Sequence, residues 1–549
     1  MPVVTPTVLS QGAVIAPEFQ IRSVDIRREV NRIPRAEIVL ADGDAARRVF
    51  AASDATEFEP GKQIEIKLRW EGETDDATVF KGWVVRHGVE AGTRGTVLVV
   101  EAKDAAVKLT GPRKSAVHRD KTDSDVIGDL IDAAKLTRGE LAATGVVHPE
   151  LVQFQTTDWD FILSRAEANG LLVATTDGEI SVRKIASLES QRAAHAFEWG
   201  IDQILSFEMV ADAGHQFDTV ESVAWDPKNQ QLTAVKKAAA FQPSQGDLDG
   251  ADLGDALGFT TDTLSHPVAL TAGELQAWAD GTLARRRMAL LRGRLTTVGF
   301  ANLALLDVIE VAGIGKRFNG KTVVTGLRHR VDADGWRTDL AFGLPPEGWF
   351  ERLEHAASPP AAGLLPPVPG LQIGVVASFE DDPERDMRIK VLLPAVDPAK
   401  EAVWARLMAP DAGAGRGLVF RPEVGDEVVV GFLNDDPRHP VILGSLHSST
   451  HPPPTPFAQP TAENIEKGIV TRSGTTLVFL DEDKPSVRIE TAAGNKIVVD
   501  DRGERIELAD QHGNAVILSK DGVSLESGKD ILINATDNVE IKGSKVDIS

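Results

Sequence analysis

Cysteine is absent from the 549 residues, which excludes disulfides, thiolate zinc sites, iron–sulfur ligation and a cysteine nucleophile. Basic residues are in deficit. Lys plus Arg number 59 against 82 for Asp plus Glu, a formal net charge of −23, so the surplus of cations that a general nucleic-acid binder needs is missing. No run approaches the length of a membrane-crossing helix; the longest apolar stretches, such as Val97–Val100, are strand-sized. From Met1 to Ala16 there is no basic start followed by an apolar core, so the sequence predicts cytoplasmic assembly without a signal peptide. What is present is ordinary for a globular protein, 42% hydrophobic and 26% charged, with length for roughly three or four domains.

Proline marks the boundaries. The stretch Ser358–Gly370, with prolines at 359, 360, 366, 367 and 369, reads as a polyproline-like spacer, and His451–Pro460 reads as a second. The expected division is 1–357, a linker 358–370, a small domain 371–448, a linker 449–465 and a tail 466–549. In the first segment Gln63–Trp70 alternates with period two, as in a half-buried strand. Thr78–His87 and Thr96–Glu101 are similar, and strands are expected again at 171–184 and 303–343. Two helices stand out. Asp123–Lys135 places apolar residues at 126, 127, 130, 131 and 134, and Asp158–Gly170 starts acidic and ends in Asn-Gly. The segment is strand-dominated α+β. In 371–448 five short strands are expected, at 372–379, 388–393, 402–408, 427–433 and 441–446, a pattern that suits a closed OB-type barrel.

The tail carries the sharpest pattern. Apolar pairs recur at Ile497/Val499, Ile506/Leu508, Val516/Leu518, Val523/Leu525, Ile531/Ile533, Val539/Ile541 and Val546/Ile548, with Gly494, Gly503, Gly513, Gly522, Gly528 and Gly543 at the corners. Each unit reads as one short strand and one tight turn. One chain of such units encloses little core. The expected solution is several copies wound around one axis, each strand edge covered by another copy, in an obligate oligomer. Val516, Leu518, Val523, Leu525, Ile531, Ile533, Val539 and Ile541 are the expected inward residues.

The middle segment resembles the OB domain of VgrG-type spikes and contractile phage needles. The resemblance lies in Gly374-Val-Val, Arg388-Ile-Lys-Val391, Trp404-Ala-Arg-Leu407, Pro422–Val428, Gly431-Phe432, Asp436-Pro437 and Pro440–Ser445. The first segment resembles phage tail hub proteins through Phe80-Lys-Gly82, Thr157–Phe161, Ala166–Gly170, Gly313–Gly320, His329 and Gly335-Trp336, and the tail resembles the triple-stranded β-helix of the same needles. What the resemblance implies is a mainly β homotrimer: an α+β hub of barrels, an OB-fold barrel and an intertwined triple-stranded β-helix. Its implied role is the central spike of a contractile injection system, in a particle that can be released outside the cell. The implied partners are the inner tube protein, baseplate proteins, a PAAR-repeat tip protein on Val546, Ile548 and Ser549, and effector cargo; the target membrane is met only mechanically. The short, undecorated form is most similar to phage-tail-like extracellular systems. The spike of a type VI system or contractile phage is the alternative in the same class. A β-helical polysaccharide-degrading tailspike is the alternative of another class.

Signals of chemistry have plainer readings. His447 and His451 share a helix face only if helical, and Pro452–Pro454 argue for loop, as for His439, so no metal is expected. Asp247, Asp249, Asp252 and Asp255 fail the EF-hand test, since Asp252 stands at its sixth position and Gly258 at its twelfth; a solvated acidic loop is expected. Gly413–Gly417 reads as a wide hairpin turn and not a phosphate cradle, and Asp158 and Asp160 as helix-start carboxylates and not an acid–base pair. No G-x-S-x-G elbow places a nucleophile. The barrel's charge is mixed, so no nucleic-acid partner is expected. No enzyme activity and no cofactor are expected.

Overall fold

The computed structural model describes residues 3–93, 95–188, 190–352, 359–396 and 401–548. They fall into two compact units, Met1–Pro359 and Pro360–Ser549.

The first unit is organised by a 13-stranded sheet. Its central seam joins Ile21–Glu29 to Gly320–Asp332, antiparallel, with Gly326 opposite Glu29 and Val331 opposite Val24. Residues three hundred positions apart are thereby stitched edge to edge. On one side the sheet continues through Arg35–Ala41, Gly95–Lys103, Ala77–Gly92, Gln63–Trp70 and Val4–Ser10; on the other it continues through Gly335–Phe342, Leu291–Val298 and Ile204–Ala211. Alternation decides the faces. In Gln63–Trp70 the residues Ile64, Ile66 and Leu68 are buried, as period two requires. Gly82 is obligatory, because a Cβ there would lie 2.3 Å from the Lys103 carbonyl oxygen. His329 is wholly buried beside Trp336 and is held to the Thr338 hydroxyl through Nδ1 at 3.1 Å. Burial, with Arg28 nearby, drops its pKa to about 3, so it is neutral and structural.

Asp25 locks the seam. Its carboxylate accepts from Arg328 Nε at 2.9 Å across the strands and from Arg27 Nε at 3.2 Å. Partial burial raises its pKa, but these guanidinium hydrogen bonds outweigh it and hold the value at about 2. A depressed folded pKa contributes stability that is present above the ordinary value of 3.8 and is lost as pH falls through 2. Melting temperature is therefore expected to fall more steeply between pH 4 and pH 2 for the native chain than for Asp25→Asn. Parallel curves would remove Asp25 from the seam's stability.

A helical layer packs on strands outside this sheet. Asp123–Ala133 starts with a capping box between Thr122 and Asp125 and buries Val126, Ile127, Leu130 and Ile131. Asp158–Ala168 is capped by Thr157. Asp160 accepts from the Thr157 hydroxyl at 2.7 Å, while the buried Asp158 pairs with Lys114 and accepts from Gln153 Nε2 at 3.0 Å. Both are thus occupied in fixing the helix start. Asp123 ties the layer together. It accepts two bonds from Arg165, one from Asn169 Nδ2 at 2.8 Å, and contacts His148 Nε2 at 3.1 Å. Burial pushes its carboxyl up, and these partners more than reverse that, leaving it below the usual range.

Two elements depart from the sequence expectation. Ala272–Leu290 is a 19-residue helix with a Thr271–Glu274 capping box. Its apolar stripe is blurred because Arg285 and Arg287 are buried; Arg287 donates to the Gln216 side chain and to the carbonyls of Phe217 and Asp218. The supposed solvated acidic loop contains the helix Gly250–Ala256, capped by Asp249, and Asp247 pairs with Arg317 at 2.8 Å. Carboxylates there cap and pair instead of merely facing water.

In the second unit, Gln372–Ser378, Ile389–Leu392, Ala402–Leu407, Pro440–Ser445 and Glu427–Phe432 close a barrel in that spatial order. Val376, Ile389, Val391, Ala405, Val428 and Val430 fill it. The mainly β architecture and the five-stranded barrel are as expected. Gly413–Gly417 is a hairpin turn between Ala412–Gly413 and Arg416–Gly417. The Pro-rich stretch leading into the barrel is anchored and is not a free spacer: Ala361 is buried and the Val368 N–H donates to the Asp435 carbonyl at 2.9 Å.

Candidate assembly interface

Seven strands of five residues form an antiparallel meander: Glu466–Val470, Thr476–Leu480, Ser486–Glu490, Lys496–Asp500, Arg505–Ala509, Ala515–Ser519 and Gly522–Glu526. Alternate turns repeat one device. Thr471 Oγ1, Thr491 Oγ1 and Asp510 Oδ1 accept from the N–H four residues on, at 3.2, 3.2 and 2.9 Å. Gly474, Gly494 and Gly513 supply the left-handed residue each turn requires, with φ of +84°, +92° and +88°. This side-chain clamp limits each strand to five residues.

The expectation that every strand edge is covered by another copy is revised for this stretch. Between Glu466 and Glu526 the neighbouring edge comes from the next strand of the same chain, because the tight turns return the backbone directly alongside itself. What the chain does not cover is a face. Register sets Ile489 opposite Ile497, Val499 opposite Ile506, Leu508 opposite Val516 and Leu518 opposite Val523. Side chains two apart on each strand share a face, so the pairs stack into a continuous apolar ladder. Ile489, Ile497 and Ile506 are 42%, 45% and 47% exposed, and Leu508 is 54% exposed. The ladder begins earlier than the sequence analysis placed it, at Leu477/Phe479 and Val487/Ile489.

The reverse face carries ion pairs, with one Glu507 oxygen buried and without a hydrogen-bond donor. Val478 and Val498 are buried there among charged neighbours, and Glu507 is bracketed by Lys496 at 2.8 Å and Arg505 at 3.3 Å. One side of the sheet suits water; the other does not. Covering a half-exposed aliphatic side chain is worth about 1 kcal/mol, and the ladder presents two per strand over successive strands.

Of the expected inward residues, Val516, Leu518, Val523 and Leu525 lie on the ladder. Ile531, Ile533, Val539 and Ile541 do not: residues 527–548 form no strand, although the repeat predicts strands there. All four are more than half exposed. Val546 and Ile548 are likewise exposed, and Ser549 lies outside the described residues. His447 Nδ1 lies 3.3 Å from the His451 carbonyl oxygen, and the His439 N–H donates to the Asp436 carbonyl. Among the described residues no three His, Asp or Glu side chains converge in a metal-holding group, and no helix is long and apolar enough to cross a membrane.

The fold and this face define a modular β protein: a two-winged sheet with a helical layer, a closed five-stranded barrel, and a repeating ladder with one uncovered apolar side. The chain belongs to the family described as the Alg8 N-terminal domain, which matches residues 1–333. Residues 372–447 match the Type VI secretion system/phage-baseplate injector OB domain. Among curated proteins it is similar to the type VI secretion system spike protein VgrG4b of Pseudomonas aeruginosa, 32% identical over 75 residues, 14% of this chain and 9% of that protein. It is also similar to the actin cross-linking toxin VgrG1 of Vibrio cholerae, 38% identical over 55 residues, 10% of this chain and 5% of that protein. The chain thus spans under a tenth of these relatives' length. Among solved structures, the prophage MuSo2 43 kDa tail protein of Shewanella oneidensis aligns with a TM-score of 0.46 at 10% identity, covering 62% of this chain and 99% of that one. The resemblance to VgrG-type spikes read from the residues is borne out.

Proposed function

We propose that the chain is the trimeric central spike of a contractile, phage-tail-like injection system. The observation that carries this reading is the uncovered apolar ladder in the same unit as an injector-type OB domain. Three copies set around one axis would turn their ladders inward and leave the ion-paired faces to water, forming the triple-stranded needle over residues 466–549. In that arrangement residues 527–548 gain the strand partners they lack within one chain. Residues 1–357 would be the hub that meets the six-fold inner tube and the baseplate. Val546, Ile548 and Ser549 would receive a PAAR-type tip protein. The role is mechanical and non-enzymatic: force passes along a rod whose hydrogen bonds must fail together.

Three curated relatives bear VgrG names, two of them called type VI secretion system spike proteins, which supports a type VI spike as the second reading. Recovery of the chain in sheath-bearing particles released to the medium would favour the first reading, and its retention in cell-bound apparatus the second. For the assembly itself, the purified chain is expected at three times 58.9 kDa in solution. A stable single copy at micromolar concentration would refute the spike.

A further inference from the structure

Within the first unit a cleft of about 530 Å³ opens beside the crossing of Asp158–Ala168 and Ala272–Leu290. The two helical segments meet at Gly170 and Gly281, where a Cβ on either would stand under 3 Å from the other's Cα. That contact fixes the floor. The size suits a small ligand or one or two long side chains.

The walls are unevenly charged. Each of the guanidiniums that line it is already engaged: Arg165 by Asp123, Arg285 by Glu167 at 2.7 Å, and Arg286 at 2.6 Å by Asp262, which lies outside the lining. Glu347 and Glu351, by contrast, line the cleft with no ion-pair partner among the described residues. Glu274 accepts from the Thr271 N–H at 2.8 Å and from its hydroxyl at 2.9 Å, and meets the ring of His148 at 3.5 Å, but pairs with no Lys or Arg among the described residues. The lining also holds the half-buried indole of Trp278, which sits edge-on to His266. An anion entering here would find no free guanidinium and three carboxylates, Glu274, Glu347 and Glu351, that have no Lys or Arg partner among the described residues, although Glu351 accepts from the Gly348 N–H at 2.7 Å. A cation on an aliphatic stem finds carboxylates for its head and an indole for its stem or charge.

We propose that this cleft binds a guanidinium or alkylammonium group carried on an aliphatic stem, presented either as an Arg or Lys side chain of a partner polypeptide or as a free polyamine. The proposal is independent of the spike reading, because it uses only side chains of the first unit.

Titration of the full chain with Nα-acetyl-arginine amide, followed by calorimetry and tryptophan fluorescence, tests it. Saturable binding is expected, weakened about tenfold by Glu347→Gln with Glu351→Gln and lowered again in high salt. Nα-acetyl-norleucine amide and Nα-acetyl-glutamate amide, which lack the cation, are expected not to bind. An agmatine arm separates the sources: tighter binding of the capped arginine indicates a polypeptide side chain, and tighter agmatine binding a free polyamine. Trp278→Leu, which leaves the carboxylates in place, is expected to weaken binding and abolish the fluorescence change. Failure of both cations to saturate, binding of norleucine amide equal to arginine amide, or full affinity in the double glutamine variant would overturn the assignment.

Discussion

Leu508→Asp is expected to abolish the oligomer while leaving the single chain folded. Leu508 is 54% exposed within one chain, so a carboxylate there disturbs no intrachain core. In the proposed assembly three such carboxylates would be brought together near one axis, away from water. Desolvation costs several kcal/mol for each, with mutual repulsion added. Sedimentation should therefore report about 58.9 kDa and not three times that mass. The barrel and first unit should melt as before. Ser486→Asp, on the opposite face of the sheet, is the matched control and should assemble normally. An intact Leu508→Asp oligomer would mean that the ladder faces outward.

The second large effect concerns Asp123. Ala in its place strips Arg165, Asn169 and His148 of a shared partner that is itself 1% exposed. Leaving a guanidinium half-buried and unpaired costs about 3 kcal/mol, and the loss falls where three pieces of chain meet at this carboxylate. Asp123→Asn keeps the shape and loses the charge, so an intermediate loss is expected. Denaturant titration read from the helical signal should rank the variants in that order. A loss under about 1 kcal/mol for Asp123→Ala would show that apolar packing alone holds the layer.

Much of this is legible in the amino-acid sequence. The period-two pattern of Gln63–Trp70 gave the strand because one face of that strand is buried and the other wet. The five barrel strands were legible from short β-branched runs between Gly and Pro, and the ladder from its i, i+2 pairs. What stayed hidden has specific causes. Ala272–Leu290 packs two arginines inward, so its burial pattern runs against hydrophobic periodicity; only Thr271 and Glu274 announced a helix start. The clamp of Thr471, Thr491 and Asp510 recurs at every second turn, a two-strand period that a search for single-strand units passes over. The cleft is assembled from segments far apart in sequence, which no local pattern reveals. Least legible of all was the source of edge pairing in the tail, since a chain doubling back on itself and a chain meeting a twin present the same spacing of apolar residues.

The repeating clamp makes the C-terminal region a molecular ruler. Each strand adds about 4.8 Å along the stacking direction and reverses the chain, and the clamped corners all fall on one margin of the meander. Length is therefore adjustable only in steps of two: removing an even number of rungs keeps the clamped margin and the exit direction, whereas an odd number points everything downstream the opposite way.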